Sequence, residues 1–137
     1  MILTNCAACA APLAHDAPRC VRCQHRTTLA AAINLGALLV KLNRFEEAKV
    51  LLRKVLPAVR RTQGESHVNT LKMRWNYADA LHLDADATLD DLREAVATLE
   101  DIEPIARRVL GGAHPLAASI ERDLQNARAA LDAREKA

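Results

Sequence analysis

The chain has 137 residues, half of them apolar, and 19 Lys and Arg against 17 Asp and Glu leave a net charge of +2. That length is one domain, or one domain with a small appendage, and the near balance of charge gives no electrostatic case for nucleic acid or a membrane surface. No apolar run reaches the roughly 20 residues that cross a bilayer. With Phe45, Trp75 and Tyr77 as the only aromatics and four glycines in all, a turn-rich β fold is also disfavoured.

The N-terminus, Met1-Ile2-Leu3-Thr4-Asn5, has neither a basic start nor a sustained apolar core, so it does not read as a secretion signal. The expected location is intracellular, cytoplasmic or nuclear, where clustered cysteines are metal ligands more often than disulfides. All four cysteines fall in the first 23 residues, as Cys6-Ala-Ala-Cys9 and Cys20-Val-Arg-Cys23. Two C-x2-C pairs separated by ten residues suit one tetrahedral Zn2+ ion, each pair supplying two thiolates from a tight turn. Pro12 and Pro18 keep the intervening loop from becoming a helix, and Arg19, Arg22 and Arg26 favour the thiolate form.

The run Cys-Ala-Ala-Cys, Ala-Pro-Leu, Cys-Val-Arg-Cys-Gln resembles the first half of a MYND-type zinc finger, a family that binds two zinc ions and docks on short peptides. The chain departs from that pattern after Cys23, passing through Gln24-His25-Arg26 directly into a helix. The two cysteine pairs, which in the family serve different ions, would regroup here around one. Residues 1–26 are therefore expected to be a partial, MYND-like zinc-binding segment, and residues 27–137 a separate helical unit.

Five helices are expected in that unit. Thr27 or Thr28 caps the first, which runs to about Leu42 with Leu29, Ile33, Gly36, Leu39 and Val40 on its inner face. Gly36 leaves a notch where a neighbouring helix can approach. The second spans about Phe45 to Gln63, with Ala48, Leu52, Val55, Leu56 and Val59 inward and Gly64 as its stop. Ser66 is the expected cap of the third, about His67 to His82, with Leu71, Trp75, Ala78 and Leu81 inward. Thr88 caps the fourth, about Leu89 to Leu110, and Pro115 opens a fifth that closes the stack near residue 134.

The second and fourth helices are copies of one another. A shift of 47 positions superposes Glu47 on Glu94, Leu52 on Leu99, Pro57 on Pro104, Gly64 on Gly111 and His67 on His114. Upstream, Asn34-Leu35-Gly36 answers Asn76-Tyr77-Ala78 at a shift of 42, so the second copy carries five extra residues between its helices. A period of this size marks a helical array. Helix pairs with Asn-Leu-Gly or Asn-Tyr-Ala in the first helix, Glu-Ala in the second and Gly-x-x-His at the junction resemble tetratricopeptide repeats of the kinesin-light-chain type.

The resemblance covers residues 28 to 134, with repeats at 28–64 and 67–111 and a closing helix at 115–134. It implies an all-α, TPR-like helical solenoid whose first helices line a peptide groove, with the small zinc knuckle in front. By position, Asn34 and Asn76 match the family's groove asparagines, and Lys41, Lys72, Trp75, Asp79 and His82 are expected nearby. Trp75 reads equally well as a core residue, and the two lysines as an ordinary solvated face.

Residues 41–61 carry seven bases against two acids, and residues 84–103 eight acids against one base. Two stacked helices that complement each other explain this most simply, and head-to-tail self-association is the alternative. No phosphate loop, His-Glu-x-x-His or nucleophile elbow is present, which sets an enzyme aside. The reading is a non-enzymatic adaptor for a protein or peptide partner. The alternative is a zinc knuckle that binds nucleic acid or acts in transcription, disfavoured because no aromatic precedes Phe45 to stack on a base.

Overall fold

The apolar periodicity of residues 26–137 folds as five α-helices, and the computed structural model describes these together with residues 4–5 and 12–13. The helices are α1 (Arg26–Lys41), α2 (Phe45–Gln63), α3 (Val68–His82), α4 (Leu89–Leu110) and α5 (Pro115–Lys136). Ahead of them β1 (Thr4–Asn5) pairs antiparallel with β2 (Pro12–Leu13), Thr4 opposite Leu13. Cys6, Cys9, Cys20 and Cys23 lie outside the described residues, as does the side chain of Leu29.

Each helix packs on the next, and the first helices of the pairs also touch in series, α1 on α3 and α3 on α5. The second helices α2 and α4 pack on the first helices and not on each other. The result is two rows, with α3 in contact with every other helix. Leu52, Leu71, Met73, Leu81, Leu99, Ile102 and Ile120 are all fully buried in one core that runs through the stack. A smaller cluster of Leu39, Val40, Ala48 and Ala80 sits beside it. Each such large side chain contributes about 1.5–3 kcal/mol on burial.

Gly36 holds α1 against α2. A Cβ at that position would lie 2.6 Å from Cδ2 of Leu52, so the notch expected from the sequence is filled by the leucine that α2 drives into it. Pro57 and Pro104 lie inside α2 and α4 and both are exposed, where the carbonyl left without a partner can face water. The α1–α2 turn closes on Asn43 at φ 60°, a left-handed conformation that asparagine tolerates better than most residues.

The recurring Gly-x-x-His junction has a physical explanation. Gly64 and Gly111 take φ of 84° and 91°, and their N–H groups close α2 and α4 on the carbonyls of Arg60 and Arg107. Their own carbonyls then accept the N–H of His67 and His114. Each histidine turns its Nδ1 onto the next helix, accepting from Asn69 N at 3.0 Å and Leu116 N at 3.1 Å. The cap of α3 is thus His67 and not Ser66, and α3 begins at Val68. The spacing matters here more than the usual preference for serine, because the glycine carbonyl fixes the third residue on as the one that enters the helix.

The five extra residues of the second copy lengthen the α3–α4 connection and add a turn to the start of α4. That turn is secured by a reciprocal capping box, Asp91 N to Thr88 Oγ1 at 3.1 Å and Thr88 N to Asp91 Oδ2 at 3.0 Å. The backbone hydrogen bond from Thr88 holds the Asp91 carboxyl below its ordinary range. In contrast, α2 starts at Arg44 with no side-chain cap.

Candidate functional site

The i, i+7 spacing of Asn34 and Lys41 sets them on one face of α1, and the i, i+4, i+7 spacing of Lys72, Asn76 and Asp79 sets these on one face of α3. Both helices belong to the row of first helices. Asn34, Lys41 and Lys72 are exposed, whereas Asn76 and Asp79 are buried because α3 has neighbours on all sides. Lys41 and Lys72 have no acidic partner among the described residues. Three of these candidate residues are thus exposed and two are buried.

The remaining two candidates, His82 and Trp75, are also on α3. The His82 side chain is 3 % exposed, and its Nε2 lies 3.0 Å from Oδ1 of Asp79. Trp75 is half-buried against the core, and its indole N–H donates to Oδ2 of Asp123 on α5 at 2.7 Å. Arg122 reaches the other oxygen of Asp123 at 3.3 Å. Burial lifts the Asp79 carboxyl above its ordinary range, with the nearby Asp123 charge adding to the rise and the His82 hydrogen bond opposing it. The Trp75–Asp123 bond thus ties α3 to α5, while His82 and Asp79 pair within α3.

Some residues emerged only in three dimensions. Tyr77 accepts from Arg53 Nε on α2 at 2.8 Å and donates to Glu94 on α4 at 2.7 Å, so its hydroxyl joins two helices that do not pack directly. Burial is the main cause of its raised pKa. The basic stretch of α2 meets the acidic stretch of α4 at this point, with Arg53 and Glu94 3.9 Å apart. The other acids of α4 find partners elsewhere, including Asp101 with Arg74 and Glu100 with Arg128. Arg74 is 6 % exposed, held by Glu65 and Asp101, with its Nε left without a partner. The sequence showed the charge imbalance but gave no signal of this routing.

An open depression of about 490 Å3 between α4 and α5 is lined by Val96, Glu100, Arg128, Leu131 and Asp132 and includes none of the seven candidate groove residues. Among the described residues, no three His, Cys, Asp or Glu side chains converge as a metal site, and no helix is long and apolar enough to cross a membrane.

Comparison with known families adds one finding. A tetratricopeptide repeat family model matches residues 28–69, which take in α1, α2 and the start of α3. The chain therefore carries a tetratricopeptide repeat at its α1–α2 pair, and its all-α architecture is consistent with a TPR-like helical fold. No curated protein and no solved structure matches the chain. The matched region begins after the cysteine segment, so the likeness of that segment to half a MYND-type finger stands on its cysteine spacing alone. A tetratricopeptide repeat points to protein partners in general.

Proposed function

We propose that this chain is a non-enzymatic protein–protein interaction adaptor that holds a peptide segment of its partner along the row of first helices. The observation that carries the reading is the repeat at residues 28–69, continued by a second helix pair built to the same plan. Asn34 offers a donor and an acceptor to an extended peptide backbone whatever the peptide's side chains. Lys41 and Lys72 select among peptides by charge, while Asn76, Asp79, His82 and Trp75 form the floor that keeps the groove in shape. The test is a nuclease-treated pull-down comparing the parent with Asn34→Ala/Lys41→Glu/Lys72→Glu, three exposed positions whose change leaves the core intact. Partners lost with the variant are expected. Partners held equally by both proteins would overturn the groove, and partners lost on nuclease treatment alone would favour a nucleic-acid role.

The same proposal includes one structural zinc ion on Cys6, Cys9, Cys20 and Cys23. Four thiolates in two C-x2-C pairs fit tetrahedral Zn2+, and Cys6 and Cys9 fall in the connection between β1 and β2. Metal analysis of protein purified under reducing, chelator-free conditions should find one zinc per chain, and a content near zero removes the ion from the proposal.

A further inference from the structure

The two ends of the helical stack differ in kind. At the far end, the outer face of α5 presents Arg122, Gln125, Asn126 and Asp132 to solvent, as the terminal helix of an array requires. At the near end, α1 has no ionisable side chain between Arg26 and Lys41. Its outer face is a stripe of Ala31, Leu35 and Leu38, continued by Leu42 just past the helix end, and the three leucines are 47 %, 50 % and 56 % exposed. A helix that is apolar all round is ordinarily buried all round. The spacing of these four residues, three and four apart, is that of a seam which packs on another helix.

We infer that this stripe is a two-fold interface with the α1 stripe of a second copy of the chain. Three observations select that occupant. Head-to-tail stacking would set the leucines on Arg122, Gln125 and Asn126 of the other end and strip water from those groups without providing hydrogen-bond partners. The stripe is instead complementary to itself. When two α1 helices run antiparallel, Leu35 meets Leu38 of the partner subunit and Ala31 meets Leu42 of the partner subunit, so a small residue faces a large one at each end. The pairing also keeps the two Lys41 side chains apart, because they fall nine residues apart along the seam, about 13 Å on the helical rise. That exceeds the screening length of about 8 Å at physiological salt. Such an interface is isologous and closes at two copies. Asn34 and Lys41 lie on the neighbouring face of α1 and remain open to a peptide.

One helix pair falls short of the roughly 1,200–2,000 Å2 of a tight interface, so a weak dimer is expected, with a dissociation constant between about 1 µM and about 1 mM. Sedimentation of the full chain under reducing conditions, over a concentration series spanning that range, tests it. The parent mass is expected to rise from 15.0 kDa toward twice that value, while Leu38→Lys stays at 15.0 kDa throughout and melts at the parent temperature at concentrations where both are monomeric. Should Leu38→Lys melt lower, the milder Leu38→Gln is read in its place, with a dissociation constant at least about tenfold weaker than the parent's expected. A parent that stays monomeric at every concentration overturns the interface and leaves the stripe to residues 1–25 or to another protein. A Leu38 variant that dimerises as tightly as the parent overturns it too. Added salt should leave the uncharged seam intact, and a dimer that dissociates in salt would mean charge-driven head-to-tail contact instead.

Discussion

The α1–α2 pair and the α3–α4 pair follow one plan, yet the same position meets different surroundings in each. Leu52 and Leu99 occupy equivalent places and both are fully buried. Leu52 reaches that state by entering the notch at Gly36, whereas the position equivalent to Gly36 in the second pair is a buried Ala78. Asn34 is exposed while its counterpart Asn76 is 7 % exposed. The difference lies in the neighbours, because α3 touches all four other helices and α1 touches two. Place in the stack, as much as the residue itself, decides what is core. Enclosure also favours internal partners for the polar groups of α3, and Arg74, Tyr77 and Asp79 all carry them, with Arg74 Nε alone among their buried side-chain atoms left unpaired.

The largest effect should come from emptying the two leucine sites. Leu52→Ala and Leu99→Ala should each cost about 2–5 kcal/mol, read from denaturant or thermal melts. Leu99→Ala is expected to be the costlier, since α4 packs more extensively on α3 and α5 than α2 does on α1 and α3. The reverse ranking would break the comparison.

Exchanging the small residues sharpens it. Gly36→Ala gains about 1 kcal/mol of helix propensity but forces a methyl into Leu52. Overpacking of a tight site costs about 1–3 kcal/mol, so a net loss of up to about 2 kcal/mol is expected. Ala78→Gly should lose about 1 kcal/mol through the backbone alone, with a further loss from the gap it leaves. A stabilised Gly36→Ala would mean that Leu52 has room to move.

The helix starts give the smallest contrast. Thr88→Ala should cost about 1 kcal/mol by opening the capping box, whereas Arg44→Ala, at a start with no side-chain cap, should change stability little. The pH dependence carries its own sign. The folded pKa of Asp91 is below its ordinary 3.8, so the box contributes in full above that value and its contribution is lost as pH falls through the lower folded value. Melts taken across the acid range should therefore converge for the parent and Asp91→Asn below the folded pKa. Curves that stay parallel would remove the carboxylate from the cap.

Much of the fold was legible in the sequence because helical repeats write their period plainly. The shift of 47 residues located both glycine–histidine junctions and both helix prolines, and α2 runs over the expected Phe45–Gln63. The histidine caps were legible in principle, since His67 and His114 recur at that shift immediately before two helices, but the usual rank of serine as a cap pointed to Ser66. The floor of the candidate groove was not legible. Asn76, Asp79 and His82 read as a polar helix face, and only the packing of the other four helices around α3 encloses them. Nor could spacing show that Trp75 and Asp123, 48 residues apart, share a hydrogen bond. The cysteine pairs lie outside the described residues, so their reading as a donor set rests on spacing alone.

The Trp75–Asp123 bond gives the molecule an internal optical reporter. Trp75 is the only tryptophan, and its indole N–H bridges the helix at the centre of the stack to the one that closes it. Indole emission depends on the polarity around the ring and on nearby charge. If α5 separates from α3 while the rest of the array holds, the ring is wetted and loses its carboxylate, and its spectrum shifts red ahead of the loss of helical circular dichroism. Time-resolved emission can therefore follow the docking of a single helix in the unmodified protein, with no added dye.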